Sequence, residues 1–167
     1  MKITRRGLLV SGVAASLAGC AEAGPQFLTY DGPPVTAIVA WKERRRMVLM
    51  HNEQILKQYD IQLGFNPIGH KEFEGDGKTP EGTYYIDRKN PRSAYHLSVG
   101  ISYPNADDRA HARAQGRSPG GDIFIHGTPR RFEKTPDWTV GCLAVTNEEA
   151  EEIFAMVNVG TPIVILP

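Results

Sequence analysis

From residue 35 onward, apolar and polar residues alternate in short runs that predict β-strands rather than helices. The runs are rich in aromatic and β-branched residues, and glycine, proline or charged residues separate them, as is typical of strands joined by turns. The first two runs flank the polar segment 42–45 and are therefore expected to form a hairpin. The predicted strands are residues 35–41, 46–51, 55–63, 82–87, 95–102, 122–126 and 162–166.

Two other segments have a helical pattern. Residues 105–115 are polar and alanine-rich, which predicts a helix on the surface. Thr146 and Glu149 have the spacing of a capping box, in which the two residues satisfy each other's backbone N–H groups at a helix N-terminus. An amphipathic helix is predicted to follow, because apolar residues recur at i, i+3, i+4 and i+7. Those residues are Ala150, Ile153, Phe154 and Val157.

Two long segments, residues 66–81 and 128–140, fit neither pattern. Both contain prolines, and the first also contains several glycines. Long loops inside a compact domain are usually functional or disordered. The second loop ends just before a cysteine, so we expect it to border a functional site.

The first twenty residues have the features of an export signal. Lys2, Arg5 and Arg6 form a basic start, and the apolar run 8–18 is too short for a helix that spans a bilayer, which needs about 20 residues. Residues 4–9 resemble a twin-arginine export motif, which implies transport of an already folded protein. We therefore predict that residues 1–19 are an export signal.

Residues 17–20, Leu-Ala-Gly-Cys, resemble a bacterial lipobox, in which Cys20 is lipidated and becomes the first residue of the mature protein. The alternative is an ordinary signal peptide whose cleavage site contains a cysteine. Residues 20–34 contain several prolines and glycines, so we predict a lipidated tether there and one folded domain at 35–167. The protein is then expected on the periplasmic side of the bacterial envelope, attached to a membrane through Cys20. The sequence leaves open which membrane holds the anchor.

Composition narrows the function further. Lys and Arg number 19 and Asp and Glu number 19, so no basic surface for nucleic acid is indicated. The five histidines raise a zinc peptidase as an alternative, but none of them has HExxH or another ligand spacing, so no metal or other cofactor is expected. If Cys20 carries lipid, Cys142 is the single thiol in an oxidising compartment, either a buried apolar residue or a reactive group.

His126 and Cys142 are the candidate catalytic pair. His126-Gly127 ends a predicted strand, and Gly141-Cys142 follows the second long loop. A cysteine nucleophile needs an imidazole to take its proton, a group that orients the imidazole, and backbone N–H donors for the oxyanion. Gly141 suits such a donor turn because it has no side chain to block close approach. These residues alone leave open the alternative of a structural histidine and a buried cysteine.

The block His126-Gly127, loop, Thr139-Val140-Gly141-Cys142 resembles the signature of the L,D-transpeptidase (YkuD-type) catalytic domain. Residues 75–84 also resemble that family's Thr-Pro-x-Gly-x-Tyr element, and residues 119–123 resemble its approach to the histidine. The resemblance covers about residues 35–167. It implies a mainly β fold, a β-sandwich of mixed sheets with one or two helices.

The resemblance also implies an activity. Cys142 is expected to attack a peptidoglycan stem peptide before its terminal D-amino acid, with His126 as the base and the carbonyl of Gly127 orienting it. Thr139, Val140 and Gly141 are expected to shape the oxyanion site. The acyl group would pass to another stem peptide, to a wall-linked lipoprotein, or to water.

Two departures from the family pattern leave the reaction open. Val140 and Ala144 stand where many members have charged residues, which puts the usual contacts with the donor carboxylate in doubt. The form Asp-Trp-Thr-x-Gly-Cys resembles a subgroup that includes hydrolytic members. A hydrolase of the same family, either an L,D-carboxypeptidase or an amidase that releases wall-linked protein, is therefore an alternative. Another alternative is a lipid-anchored module that binds peptidoglycan without turnover.

Five further residues are candidates for lining the cleft. His70 and Lys71 in the first loop, and Arg130 and Arg131 in the second, are candidates for binding a substrate carboxylate. The alternative is that they are solvated loop residues. Trp138, next to the cysteine motif, is a candidate wall of the pocket, although aromatic core packing explains it equally well.

Overall fold

A computed structural model describes residues 24–167 of the chain. The predicted export signal and the predicted lipidation at Cys20 lie outside the described residues. Residues 24–34, the described part of the predicted tether, contain no helix or strand. Within residues 24–167, no helix is both long enough and apolar enough to cross a membrane.

Eight strands form one mixed sheet in the order β3-β2-β1-β8-β4-β5-β6-β7. The pairs β1–β8 and β6–β7 are parallel, and the other neighbours are antiparallel. The prediction of a mainly β fold with mixed strand pairing is confirmed. The strands are β1 (Ala37–Trp41), β2 (Arg46–His51), β3 (Gln54–Asp60), β4 (Gly82–Ser93), β5 (His96–Ile101), β6 (Ile123–His126), β7 (Leu143–Ala144) and β8 (Pro162–Leu166).

Strand β4 is longer than the predicted 82–87 and joins the two halves of the sheet. Its first residues pair with β8, and its later residues pair with β5. The pattern missed the extension because residues 88–93 are polar and include Pro91, and the register shifts between Asn90 and Ser93. Such an irregularity bends a strand, and here one bent strand belongs to both halves.

Two helices complete the fold, α1 (Ala106–Ala114) and α2 (Asn147–Met156), as predicted to within a few residues at each end. Thr146 and Glu149 form the predicted capping box of α2. The apolar face of α2 points to the core, since Ala150, Ile153 and Val157 are almost fully buried. The helix packs against β5 and β6, and β6 ends at the predicted catalytic histidine.

The buried apolar residues form one cluster to which both halves of the sheet and helix α2 contribute. Ile38 and Ile163 belong to one half, and Val99 and Ile125 belong to the other. This shared core corresponds to the predicted packing of mixed β layers with a helix. It fixes the ends of β6 and β7, where the candidate site lies.

Candidate active site

His126 is the last residue of β6 and only 3% of it is exposed. Its Nδ1 lies 2.8 Å from the carbonyl oxygen of Gly127. A carbonyl oxygen can only accept a hydrogen bond, so Nδ1 must carry the proton and Nε2 keeps its lone pair. Gly127 is itself fixed, because its N–H donates to the carbonyl of Tyr95 at 3.0 Å. The structure therefore orients the imidazole with Nε2 as a free base.

A tight turn from Thr139 to Cys142 presents the thiol. The Thr139 hydroxyl accepts the N–H of Gly141 at 3.1 Å and donates to the carbonyl of Cys142 at 2.8 Å. Gly141 has φ +134°, and a Cβ at this position would lie 2.6 Å from the carbonyl oxygen of Lys78. Both the backbone angle and the close approach require glycine. Thr139 and Gly141 thus shape the turn, and the N–H of Gly141 is already bonded.

The parallel pairing of β6 with β7 brings the histidine and the cysteine to one face. Ala144 is opposite His126 in the register, and Cys142 precedes Ala144 by two residues. Side chains two residues apart along extended chain point to the same face. The thiol hydrogen is donated to the carbonyl of Asp122, at 3.5 Å. The thiol must therefore rotate toward the imidazole before a proton can pass between them.

Burial sets the protonation of the pair. Desolvation lowers the pKa of His126 below its usual value of 6.5, against a smaller opposite effect of its bond to Gly127. Desolvation also raises the pKa of the Cys142 thiol to about 11, although the backbone N–H of Phe124 and the charge of Lys71 act in the opposite direction. At neutral pH the resting pair is therefore a neutral thiol beside a neutral imidazole.

Aromatic rings surround the imidazole. Tyr95 stacks on His126 at 4.7 Å between ring centroids, and Trp138 lies 5.5 Å from it at a tilt. Phe132 stacks on Trp138 at 4.3 Å between ring centroids. The Nε1 of Trp138 is buried without a hydrogen-bond partner among the described residues, which costs about 1–3 kcal/mol. Trp138 thus packs beside the imidazole between His126 and Phe132, and its indole N–H has no partner among the described residues.

Lys71 does not lie open to the cleft, contrary to the sequence-based expectation. Only 3% of Lys71 is exposed, and its amine donates to Asp76 Oδ1 at 2.8 Å and to the carbonyl of Phe73 at 2.9 Å. Burial alone would raise the pKa of Asp76, but Lys71 and the backbone N–H groups of three loop residues lower it to about 2. This ion pair organises the first loop, so the geometry favours a structural role for Lys71 over substrate binding.

His70 also has internal partners. Its Nδ1 accepts the backbone N–H of Glu81 at 3.0 Å, and its Nε2 lies 3.2 Å from Asp108 of helix α1. Asp108 is buried and also accepts the hydroxyl hydrogen of Tyr84 at 3.0 Å. Both ring nitrogens of His70 are therefore bonded, and the residue ties the first loop to α1 instead of facing a substrate.

The remaining predicted residues are exposed. Arg130 and Arg131 lie on a short 3-10 helix in the second loop. Arg130 lines a cavity of about 590 Å³ whose lining does not include Cys142, and the guanidinium of Arg131 lies over the Phe132 ring at 4.8 Å. Val140 is 65% exposed beside the cysteine. The arginines border the aromatic wall, but the structure does not bring them to the thiol.

Sequence patterns did not reveal an ion pair that fixes the cysteine motif. Arg45, in the β1–β2 turn, forms two hydrogen bonds to the carboxylate of Asp137, of 3.0 and 2.6 Å. Asp137 Oδ1 also accepts the N–H of Leu63 at 3.0 Å, and the N–H of Asp137 donates to Gln62 at 2.9 Å. Asp137 directly precedes Trp138 and Thr139, so the pair anchors the start of the turn that carries the thiol.

We expect Arg45→Gln to lower the free energy of unfolding by about 1–2 kcal/mol, because it leaves a half-buried carboxylate with fewer donors; the partial exposure of both groups keeps the loss moderate. Urea unfolding measures the change. Arg46→Gln is the matched control, since its ion pair with Asp60 is more exposed and should contribute at most about 0.5 kcal/mol. Equal losses in the two variants would contradict an anchoring role for Arg45.

Within residues 24–167, no group of three or more histidine, cysteine or acidic residues is arranged to hold a metal ion. The site consists of a thiol, an imidazole, two loops and aromatic rings. This set of groups is suited to nucleophilic acyl transfer without a metal.

Comparison with known proteins gives a consistent picture. The family model described as YkuD, the L,D-transpeptidase catalytic domain, matches residues 35–165. The chain is similar to YafK of Escherichia coli strain K12, whose name assigns it provisionally to the L,D-transpeptidases, with 35% identity over 133 residues. That alignment covers 76% of this chain and 48% of YafK, so the chain spans about half the length of the curated relatives it matches.

Solved structures agree in fold. The helical cell shape determining protein Pgp2 from Campylobacter jejuni is 28% identical with a TM-score of 0.61, over 86% of this chain and 51% of Pgp2. Bd1075 from Bdellovibrio bacteriovorus is 25% identical with a TM-score of 0.56, over 80% of this chain and 48% of Bd1075. Both similarities extend over most of this chain.

Proposed function

Because the chain belongs to the YkuD family of L,D-transpeptidase catalytic domains, we propose that it is a cysteine acyltransferase acting on peptidoglycan stem peptides through an acyl-enzyme on Cys142. The observation that carries the proposal is the arrangement of β6 and β7. It holds a neutral imidazole, oriented by Gly127, on the same face as the single described thiol. This arrangement supplies a nucleophile and a base in one rigid frame.

The first half-reaction forms a thioester. The Cys142 sulfur attacks the carbonyl carbon before the last residue of the stem, while Nε2 of His126 takes the thiol proton. The bond between that carbon and the amide nitrogen then breaks, and His126 returns the proton to the departing amine. Because the resting pair is neutral, the proton moves as the sulfur attacks, and no stable thiolate is needed beforehand.

The oxyanion requires backbone donors near the sulfur. The N–H of Gly141 is bonded to Thr139, so we assign the donor to the N–H of Cys142, the next one along the turn. Thr139 and Gly141 then act by holding this turn in shape.

The second half-reaction defines the enzyme class. In a transpeptidase an amine of another stem peptide, or of a wall-linked lipoprotein, attacks the thioester, whereas in a hydrolase water attacks it. Val140 and Ala144 leave the sequence positions beside the cysteine without a charged group, and this observation keeps hydrolysis as the second candidate. By analogy with Pgp2, a role in cell shape is part of the proposal.

The location of the protein in the cell is also proposed from its sequence. Residues 1–19 are proposed to direct export and to be removed from the mature protein. A lipid on Cys20 is proposed to hold the domain 35–167 at a membrane, on the periplasmic side.

Incubation with purified disaccharide-tetrapeptide, followed by mass spectrometry, tests the proposed function. A crosslinked dimer is the expected product of a transpeptidase, and a stem shortened by one residue is the expected product of a carboxypeptidase. If neither product forms, wall-linked lipoprotein is the next substrate. Failure of all three reactions would favour a module that binds peptidoglycan without turnover.

A further inference from the structure

Two cations in the neighbourhood of the thiol are already paired. Lys71, whose charge acts on Cys142, is bonded to Asp76 at 2.8 Å. Arg88, which lies over the ring of Phe124, is bonded to Asp87 at 2.7 Å and to Asp122 at 2.9 Å. A carboxylate on the acyl-donor peptide would therefore find no free partner in these two cations.

Helix α1 and the turn that follows it carry three arginines without an acidic partner among the described residues. Arg109, Arg113 and Arg117 are spaced at i, i+4 and i+8, and none of them forms an ion pair within residues 24–167. Like charges at i and i+4 destabilise a helix by about 0.2–0.5 kcal/mol per pair. The three arginines share a cavity of about 310 Å³, the arginine pocket, whose other lining residues are Gly116 and Pro119.

Two of the three guanidinium groups are held in place. Arg109 donates to the carbonyl of Pro104, and Arg117 lies over the ring of Phe73 at 3.7 Å. Arg113 has no such partner in the described part of the chain. A planar guanidinium binds a carboxylate through two parallel hydrogen bonds, so the pocket offers one unengaged group between two that are oriented in advance.

Two series of residue contacts link the arginine pocket to the thiol. Pro119 lines the pocket, and Asp122, three residues later, accepts the thiol hydrogen through its carbonyl; three residues span at most about 11 Å. On the other side, Arg117 covers Phe73, whose carbonyl accepts the amine of Lys71. An extended peptide of four residues spans about 14 Å, which is comparable with the largest separation that the Asp122 contact and these three residues allow between the thiol and Pro119.

We propose that the arginine pocket binds a carboxylate of the acyl-donor peptide, and so takes over the contact that the uncharged Val140 and Ala144 do not provide. This inference rests on the proposed function. The pocket acts at a distance from the reacting atoms, so it contributes binding energy that is equal in the ground state and the transition state. Its loss should raise KM and leave kcat nearly unchanged.

The test compares two synthetic donor peptides, one with a free side-chain carboxylate and one with the same position amidated. Wild type should prefer the acidic peptide. The double variant Arg109→Gln, Arg113→Gln should lower kcat/KM for the acidic peptide about tenfold, through KM, and leave the amidated peptide nearly unaffected. The control is the double variant Arg44→Gln, Arg46→Gln, which changes the net charge by the same amount but lies on the β1–β2 turn and strand β2. It should keep the wild-type preference for the acidic peptide.

Three outcomes would overturn the arginine pocket as the carboxylate site: no preference in wild type, equal losses on both peptides, or the same loss in the control. Circular dichroism checks that α1 remains folded in the double variant. If α1 unfolds, Arg113→Gln alone is used instead, because it removes a side chain without partners in the described part of the chain. The proposed function fails in a different way, because wild type would then release no amino acid from either peptide and Cys142→Ala would change nothing.

Discussion

Replacing Cys142 with alanine is expected to abolish covalent capture of a carbapenem, a mimic of the acyl donor for this family. Wild-type protein should gain the mass of one carbapenem, because the β-lactam carbonyl presents an electrophile to the thiol and the opened ring stays attached as a thioester. The variant has no sulfur at this position, and Cys142 is the free cysteine within the described residues. Intact-protein mass spectrometry measures the adduct.

Two controls make this result specific. Thermal unfolding should show that Cys142→Ala remains folded, since the half-buried thiol is replaced by a smaller apolar group. Thr135→Ala, a change at an exposed residue of the second loop, should retain the full adduct. A wild-type protein without any adduct would contradict the proposed nucleophile and favour a binding module, and an adduct that persists in Cys142→Ala would place the reactive group elsewhere.

Replacing His126 with glutamine is expected to slow the same acylation by about a hundredfold to ten-thousandfold at neutral pH, the usual contribution of a general base. The base matters here because the pKa of Cys142 is raised to about 11, so the thiolate is scarce near pH 7. The rate of adduct formation, followed by mass spectrometry at several times, measures the loss. Unfolding curves of the variant separate this loss from damage to the fold, since the ring of Tyr95 stacks on the imidazole.

The pH dependence gives a second signature of His126. Its pKa is lowered below 6.5, so the acylation rate of wild type should rise with pH only in the acidic range, where the imidazole loses its proton, and then level off near neutrality. His126→Gln should lack this rise and instead follow the thiolate, gaining about tenfold per pH unit until pH approaches 11. Identical profiles for both proteins would rule out His126 as the base.

The sequence predicted these two residues because their neighbours have a local signature. Glycine follows the histidine and precedes the cysteine, and each of these glycines has a local reason: Gly127 provides the orienting carbonyl, and Gly141 adopts φ +134°. Helix α2 was predictable for the same reason, since its capping box and apolar stripe lie within twelve consecutive residues.

Roles that depend on distant partners were not predictable. Lys71 is a loop lysine in the sequence, and only the fold shows that Asp76 and the carbonyl of Phe73 take its amine. Arg45 and Asp137 are 92 positions apart, and no local pattern connects a hairpin turn with the cysteine motif. Their pairing follows from the packing of β1 and β2 beside the second loop.

The sequence by itself therefore determined the mainly β class, helix α2 and the candidate pair His126 and Cys142, because strand alternation, capping and glycine turns act over a few residues. Only the tertiary structure decided the protonation of that pair, because the pKa of each group depends on burial by residues from the whole chain. The same holds for the arginine pocket, where a free cation can be recognised only after every neighbouring carboxylate has been located in space.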